Sequence, residues 1–376
     1  MKLRVVLISI IITVLLCSCN NAGHTNKTNI ESINVQDKLI VANNIEIEGR
    51  KYESILYCFE GKEIRVLSLT TKESTLIIPS RINGYPVTKI GGDYNNKEMG
   101  EKWYSIEQEF SPWLNNKQQY LEQIVVLEGV REIMPSTFYR VKAKEIILPE
   151  SLEVIRNSAF SNSQAEKVVL KGKDTDLERS AFSGATLKEI AFPDEFRGKI
   201  EQYCFEDSGL EKFYWPSYTG NPKNKMKYSV FRNCKNLREI IFPENQEHIY
   251  IPRNSFLGCE SLEKLEFPAT TKKVTYDHNS YADNYKMGVG ILVFKGKNTK
   301  VVGCEYDGQG DYKFITVSKI VAPKDSKAIK FAKGALKIGY MAKWLQEDIE
   351  AGNPQYNYSE GYEPYIKLVS LDYKEI

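Results

Sequence analysis

The sequence predicts an α/β leucine-rich-repeat solenoid: a parallel β-sheet on the concave face, a small antiparallel β cap at the N-terminal end and a helical cap at the C-terminal end. Three observations predict it. A closing aromatic recurs at Phe138, Phe160, Phe182, Phe205, Phe231 and Phe256, in steps of 22, 22, 23, 26 and 25 residues. Each repeat also carries a short apolar run of the form L-x-x-L-x-L, as in Leu121-Glu-Gln-Ile-Val-Val and Leu237-Arg-Glu-Ile-Ile-Phe, with Ala143 and Ala165 replacing the first Leu in two copies. Five residues before each Phe stands Ile133, Ile155, Leu177, Ile200, Met226 or Ile251. A fixed period in the twenties with this pattern is the mark of leucine-rich repeats, whose units stack because none can bury its apolar side alone.

The elements follow in order. Residues 1–18 read as a lipoprotein signal peptide: Lys2 and Arg4 supply the positive start and Val5 to Leu16 an apolar core too short to span a bilayer. Leu16-Cys17-Ser18-Cys19 resembles the bacterial lipobox, in which the last cysteine is acylated and becomes the new N-terminus. Small Ser18 before Cys19 favours Cys19 over Cys17 as the lipidation site, with a plain secretory signal as the alternative. Residues 19–38, rich in Asn, Thr, Ser and Lys, suit a flexible tether. Residues 39–75 hold short β-like runs punctuated by Gly49 and Gly61 and read as the N-terminal β cap.

The solenoid is assigned to 76–323, with an insertion at 92–120 that carries Trp103, Tyr104, Phe110 and Trp113. That insertion either packs on the flank of a neighbouring coil or projects as a functional loop. Within the repeats, strand alternation points positions one, four and six inward and leaves three and five on the exposed sheet face, with two at its edge. The interior pairs are then Ile124/Val126, Ile146/Leu148, Val168/Leu170, Ile190/Phe192, Phe213/Trp215, Ile240/Phe242 and Leu265/Phe267. Position two (Glu122, Lys144, Glu166, Lys188, Glu211, Arg238, Glu263) and position three (Gln123, Glu145, Lys167, Glu189, Lys212, Glu239, Lys264) alternate in sign at nearly every step. Same-column residues on parallel strands lie about 4.8 Å apart, so these charges read as a structural ladder that disfavours a register slip.

Position five is apolar: Val125, Ile147, Val169, Ala191, Tyr214 and Ile241, then Glu266. Strand propensity alone accounts for β-branched residues there, but a contiguous apolar strip also marks interaction surfaces. The candidate partner-binding residues are therefore Val125, Ile147, Val169, Tyr214 and Ile241, with Trp103 and Trp113 of the insertion. The loop after Lys273 carries Tyr276, His278, Tyr281 and Tyr285, which suit stacking and hydrogen bonding to a sugar and are candidate glycan contacts. Residues 324–350 read as the C-terminal cap helix, capped by Ser326 with Ala328, Phe331, Ala332, Leu336 and Ile338 on its buried side. A Tyr-rich tail, 351–376, follows.

Three segments resemble the BspA-like, treponemal-type leucine-rich-repeat family. They are Ile-Pro-Ser-Arg-Ile-Asn-Gly-Tyr-Pro-Val-Thr-Lys-Ile-Gly (78–91), Leu-Pro-Glu-Ser-Leu-Glu-Val-Ile-Arg-Asn-Ser-Ala-Phe (148–160) and Phe-Arg-Asn-Cys-Lys-Asn-Leu-Arg-Glu-Ile-Ile-Phe-Pro (231–243). The resemblance runs from about Leu76 to about Lys330. It implies this fold and a surface-exposed place on a bacterial cell envelope, with adhesion to host or matrix proteins as the associated role. It does not imply one ligand.

The remaining composition narrows the function. Without Lys2 and Arg4 the chain holds 49 basic and 49 acidic residues, which gives no electrostatic case for nucleic acid. Seven cysteines form no C-x-x-C metal pair. Cys234 and Cys259 share a column with Val141, Ser163, Ala185 and Ser208; this reads as a small buried position or, in an exported protein, a disulfide. The chain has three histidines and no G-x-S-x-G, H-E-x-x-H, P-loop or G-x-G-x-x-G motif. No catalytic residue, metal or cofactor is assigned. The expected function is non-catalytic protein binding by a protein held to the membrane through its lipid. A glycan-binding accessory lipoprotein and a structural envelope component are the alternatives.

Overall fold

The computed structural model describes residues 39–92, 120–217, 226–252, 254–276, 290–303, 314–315, 317, 319–334, 336–338, 368–370 and 372–376. The chain starts antiparallel. β1 (Leu39–Ile47), β2 (Arg50–Glu60) and β3 (Glu63–Thr70) form a meander. Its turns use the left-handed backbone of Glu48-Gly49 and Gly61. β4 (Thr75–Ile78) is followed by a hairpin of β5 (Arg81–Ile82) and β6 (Tyr85–Ile90), turned by Asn83-Gly84, both at positive φ. β3 pairs parallel with β6, so the meander is continuous with the repeats.

Two walls then alternate along the chain. The first wall takes β7 (Leu121–Val126), the second β8 (Glu132–Ile133); β9 (Ala143–Leu148) and β10 (Val154–Ile155) repeat the pair, as do β11 (Lys167–Leu170) and β12 (Asp176–Leu177). β13 (Glu189–Ala191), β14 (Lys212–Tyr214) and β15 (Glu239–Ile241) continue the first wall and β16 (His248–Ile251) the second. β17 (Lys264–Phe267), β18 (Lys273–Tyr276), β19 (Ile291–Phe294) and β20 (Lys300–Gly303) alternate in the same way. β21 (Phe314–Ile315) precedes β22 (Lys319–Ala322). On the first wall the parallel order is β4-β7-β9-β11-β13, then β14-β15, then β17-β19-β22. On the second it is β6-β8-β10-β12, carried on by single bridges at Ile200 and Met226.

One continuous apolar core lies between the walls. Its spine is the closing Phe column. Phe138, Phe160, Phe182, Phe205, Phe231 and Phe256 stack face to face at 5.0, 5.0, 5.7, 5.7 and 5.6 Å between centroids. Opposite stand Ile133, Ile155, Leu177, Ile200, Met226 and Ile251, all essentially solvent-free. Each buried side chain of this size contributes roughly 1.5–3 kcal/mol. Backbone bonds lock the spine: Phe160 N donates to Ala181 O at 2.8 Å and Phe182 N to Cys204 O at 2.8 Å.

The predicted repeat fold with parallel sheets is present, while its α/β label gives way among the described residues to a β-rich one. The described residues are strand-rich with parallel sheets and a single helix, so this is a repeat β-rich fold. The reason lies two residues on either side of each Phe. Ser136, Ser158, Ser180, Tyr203, Ser229 and Asn254 before it have φ between 55° and 58°. Arg140, Asn162, Gly184, Asp207, Asn233 and Gly258 after it are also left-handed. Paired left-handed residues make tight turns and stop a right-handed helix from propagating.

A second correction concerns the helix expected over 324–350, of which residues 335 and 339–350 lie outside the described residues. Ser326 does cap it, with Ile329 N donating to Ser326 Oγ at 3.2 Å, but the helix α1 covers only Lys327–Gly334. Leu336 and Ile338, expected on its buried side, instead lie in β23 (Leu336–Ile338), because Gly334 ends the helix and Leu-Lys-Ile has strand alternation. Of the tail, β24 (Leu368–Ser370) pairs antiparallel with β23, and β25 (Asp372–Glu375) adds parallel to β22 as the outer strand of the first wall. Tyr356, Tyr358, Tyr362 and Tyr365 lie outside the described residues. A third correction is Phe192, assigned to the interior: it is only half-buried, tilted against Phe196 at 4.7 Å, and fully buried Phe196 fills the core beside it.

The cysteine column is small and buried in this structure. Cys234 and Cys259 are free thiols, donating to Phe205 O at 2.9 Å and Phe231 O at 3.0 Å.

Candidate binding surface

The exposed side of the first wall is built by strand alternation. In β7 the burial order of Leu-Glu-Gln-Ile-Val-Val puts residues one, four and six in the core and leaves three and five half-buried; β9 repeats it. Register then aligns position five: Ile77 pairs with Val125, Val125 with Ile147, Ile147 with Val169, and Val169 with Ala191. At about 4.8 Å per strand these five residues form an apolar line roughly 19 Å long. Beyond the break in the ladder, Tyr214 pairs with Ile241. Most of the column is half-buried by its neighbours, but Tyr214 is 47% exposed, one of the few large hydrophobic side chains so placed. Glu266 then ends the apolar run, held by Lys264 and by Lys295 at 3.5 Å.

The charged columns flank this line and are paired within themselves. Lys144 Nζ lies 4.0 Å from Glu122, Lys167 Nζ 3.3 Å from Glu145, Lys188 Nζ 3.0 Å from Glu166 and Lys212 Nζ 3.1 Å from Glu239. Gln123 Nε2 donates to Glu145 Oε2 at 2.7 Å, and that bond, with Lys167, holds the Glu145 carboxyl below the usual range. The hydrogen bond to Glu166 raises the Lys188 ammonium, and that to Glu239 raises Lys212. From Glu122 to Glu189 these residues line a shallow open groove beside the apolar line. Four carboxylates and three lysines alternate along it, so the groove has polarity with little net charge. Lys212 Nζ also sits 5.2 Å from the Tyr214 ring centre, steadying the ring from its polar side.

Of the other predicted site residues, Tyr276 ends β18 with its backbone opposite Gly303. Cys19, Trp103, Trp113, His278, Tyr281 and Tyr285 lie outside the described residues. Sequence reasoning missed three column members, Ile77, Val293 and Val321, all half-buried and in register with the line or its continuation. Their strands, Thr-Leu-Ile-Ile, Ile-Leu-Val-Phe and Lys-Ile-Val-Ala, keep the strand alternation but lack the leading Leu of the repeat, and alternation alone would have found them. Tyr120, 42% exposed just before β7, was assigned to the insertion. Among the described residues no group of three or more His, Cys, Asp or Glu could hold a metal ion. Also among them, no helix is long and apolar enough to cross a membrane.

Comparison with known proteins now adds to this geometry. Residues 115–224 and 200–286 match the BspA type leucine rich repeat region, in six copies. Over that span the chain is similar to the BspA type of leucine-rich repeat. BspA-like leucine-rich-repeat proteins are bacterial surface proteins with protein-interaction roles. Among solved structures, a leucine-rich repeat protein from Bacteroides ovatus is 16% identical, with 71% of this chain and 69% of that chain covered at a TM-score of 0.37. The T. pallidum leucine rich repeat protein is 20% identical, covering 55% of this chain and 86% of its own, at a TM-score of 0.40. A leucine-rich repeat protein from Eubacterium ventriosum is 14% identical over 77% of this chain and 68% of that one, at 0.38. No curated protein matches the chain.

Proposed function

We propose that this is a lipid-anchored, non-catalytic protein of the bacterial cell envelope whose leucine-rich-repeat solenoid binds a host or matrix protein through the apolar line of its concave sheet. One observation carries the reading: Val125, Ile147 and Val169 align in register, Tyr214 and Ile241 hold the same repeat position further on, and Tyr214 is 47% accessible beside rows of paired charge. Aromatic side chains with an apolar surround and a polar rim supply much of the energy of protein interfaces. The paired rows add little net attraction, so they set the register of a partner while the apolar line supplies the affinity. Cys19 would carry the acyl chains that hold the protein at the membrane, two or more being needed for stable anchoring.

The test is binding of residues 20–376 to matrix proteins, host cells and a glycan panel, beside membrane fractionation of the full chain and its Cys19→Ala variant. Saturable binding to a protein, with loss of membrane attachment in Cys19→Ala, is the expected result. Binding to sugars alone, abolished by Trp113→Ala or Tyr281→Ala, would replace this reading with a glycan-binding one. A folded chain that binds nothing in the panel and is captured with an envelope component would replace it with a structural role.

A further inference from the structure

The buried thiols take no part in that reading, and two of them stand in one column of consecutive repeats. Cys234 follows Phe231, which closes the repeat of β14, and Cys259 follows Phe256, which closes the repeat of β15, each by three residues. The backbone joins these two turns through Phe231 N to Ser255 O at 3.0 Å and Asn233 N to Leu257 O at 2.6 Å. Both are fully buried, in equivalent positions of consecutive repeats, where side chains of one column stand about 5 Å apart and within disulfide range. Their environments interlock. Phe231 O accepts both Cys234 N at 3.1 Å and Cys259 Sγ at 3.0 Å, which brings the Cys259 sulfur against the backbone of Cys234. Cys204 directly precedes Phe205, in a column otherwise of Thr137, Ala159, Ala181, Val230 and Ser255, and Cys58 is in β2.

We infer that Cys234 and Cys259 are a redox pair that closes to a disulfide between consecutive repeats when the chain folds in the presence of an external disulfide oxidant. The bond would add a covalent link beside those backbone bonds, clamping the repeat of Tyr214 to that of Ile241. One cysteine thiolate attacks a sulfur of the oxidant R–S–S–R and releases one R–S⁻. The second thiolate attacks the protein sulfur of that mixed disulfide and releases the other R–S⁻. The two cysteine protons end on the two R–SH products, so the protein is oxidised by two electrons and the oxidant reduced by two. In the folded reduced state, the hydrogen bond with Cys234 together with burial pushes the Cys259 thiol well above its usual range, so few thiolates form there. Closure therefore belongs to folding, before the column is sealed.

The experiment unfolds the full chain under reductant and refolds it in a mixture of reduced and oxidised glutathione. Remaining thiols are then blocked, and the peptides mapped by mass. A Cys234–Cys259 bridge as the main disulfide is expected, and it should raise the melting midpoint by about 5 °C over the reduced protein, from closure of a loop of about 25 residues. In Cys234→Ser and Cys259→Ser the midpoint should not respond to reductant, while Ser163 and Ser208 in the same column show that serine fits there. Both thiols recovered blocked on the folded wild-type chain, or bridges spread equally over Cys58, Cys204 and Cys304, would overturn the inference.

Discussion

Replacing Phe182 with Ala removes the middle of the aromatic spine. Phe182 is 1% exposed and stacks on Phe160 at 5.0 Å and on Phe205 at 5.7 Å. Truncating a buried Phe to Ala costs about 3–5 kcal/mol, because the transfer energy is lost and a cavity remains. The two stacking contacts, worth ~0.5–1.5 kcal/mol each as aromatic pairs, are included in that cost, which is taken near its middle. Each repeat leans on its neighbours, so the loss weakens two repeat interfaces at once. With a urea m-value of about 3 kcal/mol per molar, a cost near 4 kcal/mol lowers the unfolding midpoint by about 1.3 M. Urea titration followed by circular dichroism reads this directly. A fall of less than about 0.2 M, that of an ordinary surface substitution, would refute the account of a stacked, stability-bearing spine.

Ser180 holds φ at 57°, so Ser180→Val should cost about 1–2 kcal/mol while Ser180→Gly should be near neutral, as paired melting curves would reveal. Lys167 stands between Glu145 and Glu189 in register, and Lys167→Glu lines up three carboxylates; a loss of about 1 kcal/mol that shrinks in high salt is expected. Stability should also fall in acid. Glu63 is held below the usual carboxylate range by the Thr88 hydroxyl, Glu145 by the Gln123 amide and Glu266 by Lys264. A lowered folded-state pKa stabilises above the unfolded value, about 4.3 for Glu, and that stabilisation is lost as pH falls through the folded value. Melting midpoints should therefore hold between pH 5 and about 8 as far as these groups are concerned and drop below about pH 4.5; a midpoint unchanged down to pH 3 would contradict the paired ladder.

Much of the fold was legible because period and alternation are properties of the chain itself. The Phe steps set the phase, and once the phase is known, Leu121-Glu-Gln-Ile-Val-Val dictates which side chains are buried. The alternating Lys and Glu columns likewise foretold pairs such as Lys167–Glu145. What escaped depends on local backbone geometry or distant partners. The left-handed residues around each Phe are visible in the sequence only as an excess of Ser, Asn and Gly. Gly334 was underweighted as a helix stop, since Leu336 and Ile338 also suit a helical face. The return of Asp372–Glu375 to the first wall depends on a partner strand some fifty residues earlier, which no local pattern announces. In the candidate site, Ile77 and Val321 were missed because their strands depart from the repeat pattern while keeping its register.

The most direct test of the central claim is the affinity of the folded chain for its captured protein partner, measured for wild type, Tyr214→Glu, Val169→Lys and Arg131→Ala. Arg131, paired with Glu63 at 2.9 Å, lies by the second wall and serves as the control. A binding face on the apolar line predicts at least a thirtyfold loss for Tyr214→Glu, corresponding to about 2 kcal/mol, a clear loss for Val169→Lys and no change for Arg131→Ala. Full affinity in both strip variants, with unchanged melting curves, would contradict the claim and move the interface off the sheet.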